Sequence, residues 1–112
     1  MDLLEVDTRE EHGWTVLSVR GQLDVATAPD LRQALVEAQY GRASRVILDL
    51  DGLEFLDSMG LGVIVGGLKR SRTHGGELAL VCSRQRVRQL LELTRIADIV
   101  RVVPSVKELL DG

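Results

Sequence analysis

The chain has 112 residues, 45% of them hydrophobic, and a formal net charge of −3. This length predicts a single domain that spans residues 1–112 and has one packed core. The longest uncharged run, 58–68, has 11 residues, too few for the ~20 of a membrane-spanning helix. The N-terminal residues are acidic, unlike a secretion signal. We therefore expect a cytoplasmic domain that has no membrane or nucleic-acid partner.

The first part of the chain predicts two strands and a helix. TVLSVRGQL alternates side chains as a half-buried strand does, and LLEV near the N-terminus is expected to pair with it. TAPDLRQALVEAQYG predicts a helix with Thr27 as its N-cap, Pro29 in its first turn and a stop at Gly41.

The middle of the chain predicts a central strand followed by a helix rich in glycine. RVILDLDGLEFL begins with the apolar run 46–48, which is typical of a strand covered on both faces. A helix is predicted over 58–74, closed by Gly75 and Gly76. Its apolar face consists of Leu61, Ile64, Val65 and Leu68.

The last part predicts two further strands and two helices. ELALVCS reads as a second buried strand, in which Cys82 is a small buried hydrophobe. SRQRVRQLLELTRI predicts a helix capped by Ser83, followed by a strand at IVRVV and a helix at SVKELL. The order β-β-α-β-α-β-α-β-α predicts an α/β layer fold, with a mixed sheet of roughly four to five strands and about four helices.

Four glycines within the predicted helix 58–74 raise a question about function, because each costs about 1 kcal/mol relative to alanine in a helix interior. They are Gly60, Gly62, Gly66 and Gly67. Two interpretations stay open: close packing against the protein's own sheet, or close approach of a partner's backbone. A phosphate cradle is not expected, since G-x-G-x-x-x-G differs from the dinucleotide fingerprint and the chain has no G-K-[ST] triplet.

The sequence also gives little support for catalysis. His12 and His74 lack the spacing of metal ligands, and His74 lies about 24 Å along the helix from Ser58. The arginines within 84–88 point in different directions around a helix and form no basic stripe. We therefore expect no enzymatic activity, no metal site and no cofactor.

Ser58 follows Asp57 at the start of the glycine-bearing helix. In the simpler interpretation, Asp57 or Ser58 caps this helix. In the alternative, Ser58 is phosphorylated, because the free N–H groups and the dipole of a helix N-terminus can receive a dianion. A phosphate there would weaken the binding of any partner that packs on the unmodified surface.

Three segments together resemble the STAS-domain anti-sigma factor antagonists of bacteria, especially actinobacterial members. They are GQLD at 21–24, VILDLDGLEFLDSMGLGVIVGGLKR at 46–70 and GGELALVCS at 75–83. The most specific element is DSMGLGV at 57–63. The resemblance implies the STAS fold, and phosphorylation of Ser58 by a partner that is both an anti-sigma factor and a serine kinase.

The resemblance further implies a partner switch. The unphosphorylated antagonist binds the anti-sigma kinase and frees the sigma factor, phosphorylation inactivates the antagonist, and a serine phosphatase restores it. ATP belongs to the kinase. Asp24 and Asp57 match acids that the family has beside the phosphorylated serine. The implied partner-binding residues are Asp24, Asp57, Ser58, Met59, Gly60, Leu61 and Gly62.

Met59 departs from the family pattern, which usually has Ser or Thr at this position. Ser58 therefore carries the one hydroxyl in the motif. The Met59 thioether lies in the predicted contact surface, where it affects recognition by the kinase. An alternative function is a STAS accessory subunit of a membrane lipid transporter, and a nucleotide-binding domain is a more distant third. We expect the free protein to be a monomer or a weak dimer.

Overall fold

The computed structural model describes residues 3–41 and 43–111, and over these residues a five-stranded sheet carries four α-helices and one 3₁₀ turn. The strands are β1 (Leu4–Glu11), β2 (Trp14–Leu23), β3 (Arg45–Leu56), β4 (Glu77–Val81) and β5 (Arg101–Val103). The helices are α1 (Ala28–Ala38), α2 (Ser58–Thr73), α3 (Gln85–Leu93) and α4 (Val106–Asp111), and the 3₁₀ turn is Ile96–Asp98. The predicted order of strands and helices is confirmed.

The sheet is mixed, and its strands lie in sequence order. β1 and β2 form an antiparallel hairpin through a turn at His12 and Gly13, both with positive φ. The pairs β2–β3, β3–β4 and β4–β5 are parallel, and α1, α2 and α3 form the successive crossovers. β3 therefore lies at the centre, as its apolar run predicts.

The two faces of the sheet have separate cores. Val46 and Leu48 of β3 point into the larger core, which α1, α2 and α3 cover, whereas Ile47 points into the smaller core beneath α4. All three side chains are fully buried. Cys82 is fully buried too, and burial raises the pKa of its thiol, so it behaves as the predicted small hydrophobe. Within the described ranges, no helix is long and apolar enough to cross a membrane.

Of two predicted helix caps, Thr27 is confirmed in its position and Ser83 is wrong. Thr27 occupies the N-cap position of α1, but its hydroxyl donates to the carbonyl oxygen of Gln22 at 2.7 Å and makes no capping hydrogen bond. Ser83 is not the cap of α3, which begins at Gln85. The backbone N–H and the hydroxyl of Ser83 instead donate to Asp51 Oδ1, at 2.6 and 3.1 Å. In both cases the hydroxyl donates to a residue of a strand, Gln22 of β2 or Asp51 of β3.

Candidate functional site

Ser58 is the exposed first residue of α2, and the helix is capped by its neighbour. Asp57 has an extended backbone, and its Oδ1 accepts hydrogen bonds from the N–H groups of Met59 and Gly60, both at 3.0 Å. Of the two candidate caps, Asp57 therefore fills that role. The Ser58 hydroxyl is left at the surface, where another protein can reach it.

The first turn of α2 offers fewer free N–H groups than the sequence argument for phosphorylation assumes. Asp57 Oδ1 takes the N–H groups of Met59 and Gly60, and the main-chain oxygen of Asp57 accepts from Leu61 N at 3.0 Å. A phosphate on Ser58 would thus find these donors occupied and would lie beside the Asp57 carboxylate. Repulsion by the Asp57 carboxylate would direct such a group outward.

A second acid lies at the same edge of the sheet, in the turn between β2 and α1. Asp57 N donates to Leu23 O at 3.3 Å, which holds the start of α2 beside the end of β2. Asp24 follows directly, and its Oδ1 accepts from Ala26 N and Thr27 N at 3.0 and 3.1 Å. Both acids thus organise the backbone around Ser58.

Two of the four helix glycines face the interior. A Cβ added at Gly60 would lie 2.7 Å from both Leu23 Cγ and Leu56 Cδ1, and one added at Gly67 would lie 3.2 Å from Leu35 Cδ1. Gly60 is buried, so its assignment to the partner-binding surface is corrected. Gly60 permits close packing of α2 on the sheet, and because it is buried there, it offers no surface to a partner.

The other two glycines face outward. A Cβ added at Gly62 would have no neighbour within 4 Å, and one added at Gly66 would meet only Arg70 Nη1 at 3.9 Å. Met59, 52% exposed, lies beside them, whereas Leu61 is partly buried against the larger core. The open surface of α2 is therefore made by Ser58, Met59, Gly62 and Gly66.

This surface is one wall of a shallow groove between α1 and α2, with a volume of about 230 Å³. We call it the α1–α2 groove. Its lining residues are Arg32, Ser58, Met59, Gly62, Val63, Gly66 and Arg70. Arg32 belongs to α1, and the other six belong to α2, so a helix–helix crevice leads away from Ser58.

Two arginines in this groove are functional candidates that the sequence analysis missed. Arg70 Nε donates to Gln39 Oε1 at 3.1 Å, and burial, together with the neighbouring charge of Arg32, lowers the pKa of Arg70. A local signal exists for Arg70, because Ser58, Gly62, Gly66 and Arg70 recur every four residues along one helix ridge. Arg32 lies on another helix, and no local pattern connects it to the site.

Exposed apolar side chains surround the loops that follow β2 and β3. Val25 is 65% exposed and Phe55 is 48% exposed, in addition to Met59. In a parallel sheet, the carboxyl ends of the strands are the usual place for binding residues. Neither Val25 nor Phe55 is among the site residues predicted from the sequence. Among residues 3–41 and 43–111, no three His, Cys, Asp or Glu side chains come together in a group that could hold a metal ion.

Known proteins of one family match this chain over nearly its whole length. The family model for the STAS domain matches residues 5–109. An anti-sigma-B factor antagonist of Bacillus subtilis is 33% identical over 100 residues, covering 88% of this chain and 90% of that protein. One of Staphylococcus aureus is 29% identical over 99 residues, covering 88% and 92%. The crystal structure of an anti-sigma factor antagonist from Mycobacterium paratuberculosis superposes with a TM-score of 0.89 at 25% identity, over 98% of this chain and 93% of that one.

Proposed function

The chain belongs to the STAS domain family, and from that premise we propose that it is an anti-sigma factor antagonist. Its unphosphorylated form binds an anti-sigma factor that is also a serine kinase, and this binding releases the sigma factor. Two relatives named above, from Bacillus subtilis and Staphylococcus aureus, are anti-sigma-B factor antagonists. Their extensive coverage of this chain supports a function for the domain as a whole.

The accessibility of the Ser58 hydroxyl carries the proposal. Because Asp57 caps α2, Ser58 is exposed at the start of the helix and is not needed to hold the helix in place. The kinase transfers the γ-phosphoryl group of ATP to Ser58 Oγ, with loss of the hydroxyl proton and release of ADP. A serine phosphatase hydrolyses the phosphoester and restores the hydroxyl. This chain itself needs no nucleotide and no catalytic group.

The switch acts through charge at the contact surface. Phosphorylation adds about −1.5 to −2 charge at a site bordered by exposed Met59 and Gly62 and by the Asp57 carboxylate. Burying a charge of that size against a partner costs several kcal/mol unless a cation meets it, and each ~1.4 kcal/mol is a tenfold change in affinity. The phosphorylated form therefore releases the anti-sigma factor. Met59, in the same surface, contributes to the choice of partner.

The proposal is tested with the cognate anti-sigma kinase, obtained from the source organism by pull-down with Ser58→Ala as bait. Incubation with this kinase and ATP should add one phosphate to the wild-type protein, at Ser58, and should abolish the complex. Ser58→Ala should bind and stay unmodified, and Ser58→Asp should not bind. Mass spectrometry and calorimetry read the two effects. An unchanged mass, or undiminished binding by Ser58→Asp, would contradict the proposal.

The alternative, an accessory subunit of a membrane lipid transporter, makes a different prediction. Such a subunit is a constitutive scaffold on an ABC ATPase, so its binding would not depend on the charge at position 58. The free hydroxyl at Ser58 and the names of the two curated relatives favour the antagonist. Co-purification with an ABC ATPase would reverse this preference. We propose further that the free protein is a monomer or a weak dimer, which sedimentation would measure.

A further inference from the structure

Arg70 is a fixed side chain within the α1–α2 groove. Its Nε donates to Gln39 Oε1 at 3.1 Å. Gln39 is 2% exposed and is itself held, since its Nε2 donates to Gly67 O at 2.7 Å and to Ser71 Oγ at 2.8 Å. The guanidinium group is therefore oriented before any ligand arrives, which lowers the entropy lost on binding.

Arg70 has no anionic partner among the residues that the structure describes. Its Nη2 is buried and makes no hydrogen bond there, and none of the ion pairs between described side chains includes it. The charge that faces it is the cation of Arg32, which lines the same groove and disfavours the charged state of Arg70. Arg70, a partly desolvated cation, and the exposed Arg32 beside it form an unsatisfied site, which an anion would complete.

The shape of the groove indicates what kind of anion fits. Gly66 leaves open space next to Arg70 Nη1, and Met59, Gly62 and Val63 extend the wall towards Ser58. From Ser58 to Arg70 the distance along α2 is about 18 Å. A free inorganic anion would use only the arginine end of this crevice. A polypeptide segment would fill the apolar length and place one acidic side chain at the end.

We propose that the α1–α2 groove holds a segment of the anti-sigma factor, with an aspartate or glutamate of that protein bound between Arg32 and Arg70. The inference rests on the proposed function and adds to it a contact that phosphorylation of Ser58 does not modify. Ser58 decides whether the complex forms, and the two arginines decide which anti-sigma factor is accepted. An anti-sigma factor with no acid at this position would leave both cations desolvated and unpaired, which selects against it.

The test compares the affinities of five variants for the cognate anti-sigma factor by calorimetry. Arg70→Gln and Arg32→Gln should each weaken binding about tenfold, and the double variant should lose less than the product, because both arginines contact one carboxylate. Lys69→Gln is the matched control, since it removes the same charge from an exposed neighbour on α2 and should leave the affinity unchanged. The affinity of Arg70→Lys should fall between those of wild type and Arg70→Gln, because lysine keeps the charge but lacks the paired N–H donors of the guanidinium group. Thermal unfolding verifies that each variant is folded.

Two outcomes would overturn the inference while leaving the proposed function standing. In the first, Arg70→Gln and Lys69→Gln bind equally well while Ser58→Asp still abolishes binding. In the second, inorganic phosphate alone shifts the NMR signals of Arg70 Nε–H and the Gly66 amide, and the shifts reach saturation at low millimolar concentration. That result would make the groove a small-anion site. If wild-type protein binds no anti-sigma kinase at all, the proposed function fails and this inference fails with it.

Discussion

Two pairs of glycines in α2 lie on opposite sides of one helix and have opposite surroundings. A Cβ added at Gly60 or Gly67 would lie 2.7 or 3.2 Å from leucine side chains, whereas one added at Gly62 or Gly66 would have nothing closer than 3.9 Å. For the inner pair, the loss of helix propensity is offset by close packing. For the outer pair nothing inside the protein offsets the cost of about 1 kcal/mol per glycine. The two interpretations that the sequence leaves open are therefore both needed, one for each pair.

The largest effect on stability is expected at the inner pair, from Gly60→Ala. The new methyl group would lie 2.7 Å from both Leu23 Cγ and Leu56 Cδ1, and a branch carbon such as Cγ moves only with the whole side chain. Overpacking of this kind costs typically about 1–3 kcal/mol, and about 1 kcal/mol of better helix propensity offsets part of it. We expect a net loss of up to about 2 kcal/mol in the free energy of unfolding, measured by urea denaturation. A gain in stability would mean that α2 does not pack this closely on the sheet.

The outer pair should respond in the opposite sense. Gly62→Ala should raise the free energy of unfolding by about 0.5–1 kcal/mol, because the methyl group improves helix propensity and meets nothing within 4 Å. Gly62→Leu should fold as well as wild type but should bind the anti-sigma kinase at least about tenfold more weakly. Urea denaturation and calorimetry separate the two effects. Full affinity in Gly62→Leu would show that no partner approaches this side of the helix.

The sequence predicted the strands and helices, but the buried face of α2 is rotated slightly from the predicted one. It centred the apolar face on Leu61, Ile64, Val65 and Leu68, whereas the buried residues of α2 are Gly60, Ile64, Gly67, Leu68 and Ser71. The reason is physical: glycine and serine contribute no hydrophobicity to a periodic pattern, and yet they are the residues that let a helix approach its neighbours most closely. Leu61 and Val65 lie at the border of the core instead.

The site could be predicted in part, according to how local each contact is. The position of Ser58 at the start of a helix follows from residues 55–70 alone. The hydrogen bond of Ser83 to Asp51 and the placement of Arg32 beside Arg70 join segments 32 and 38 residues apart. Such contacts depend on how the crossover helices pack. A residue that functions through them has no signature in its own neighbourhood.

The smallest expected effect on stability is that of Gly67→Ala. It tests whether the two inner glycines, Gly60 and Gly67, differ in how much added volume they tolerate. Here the added methyl group would lie 3.2 Å from Leu35 Cδ1 and 3.4 Å from Leu78 Cδ2, which are the far ends of flexible side chains. A shift of a few tenths of an ångström relieves these contacts, so the packing cost roughly cancels the gain of about 1 kcal/mol in helix propensity. We expect the free energy of unfolding to change by less than about 0.5 kcal/mol. A loss of stability as large as that of Gly60→Ala would show that the contact between α1 and α2 is rigid. Gln39 donates to Gly67 O and accepts from Arg70. In that case Gly67→Ala should therefore also weaken the binding of the anti-sigma factor through Arg70.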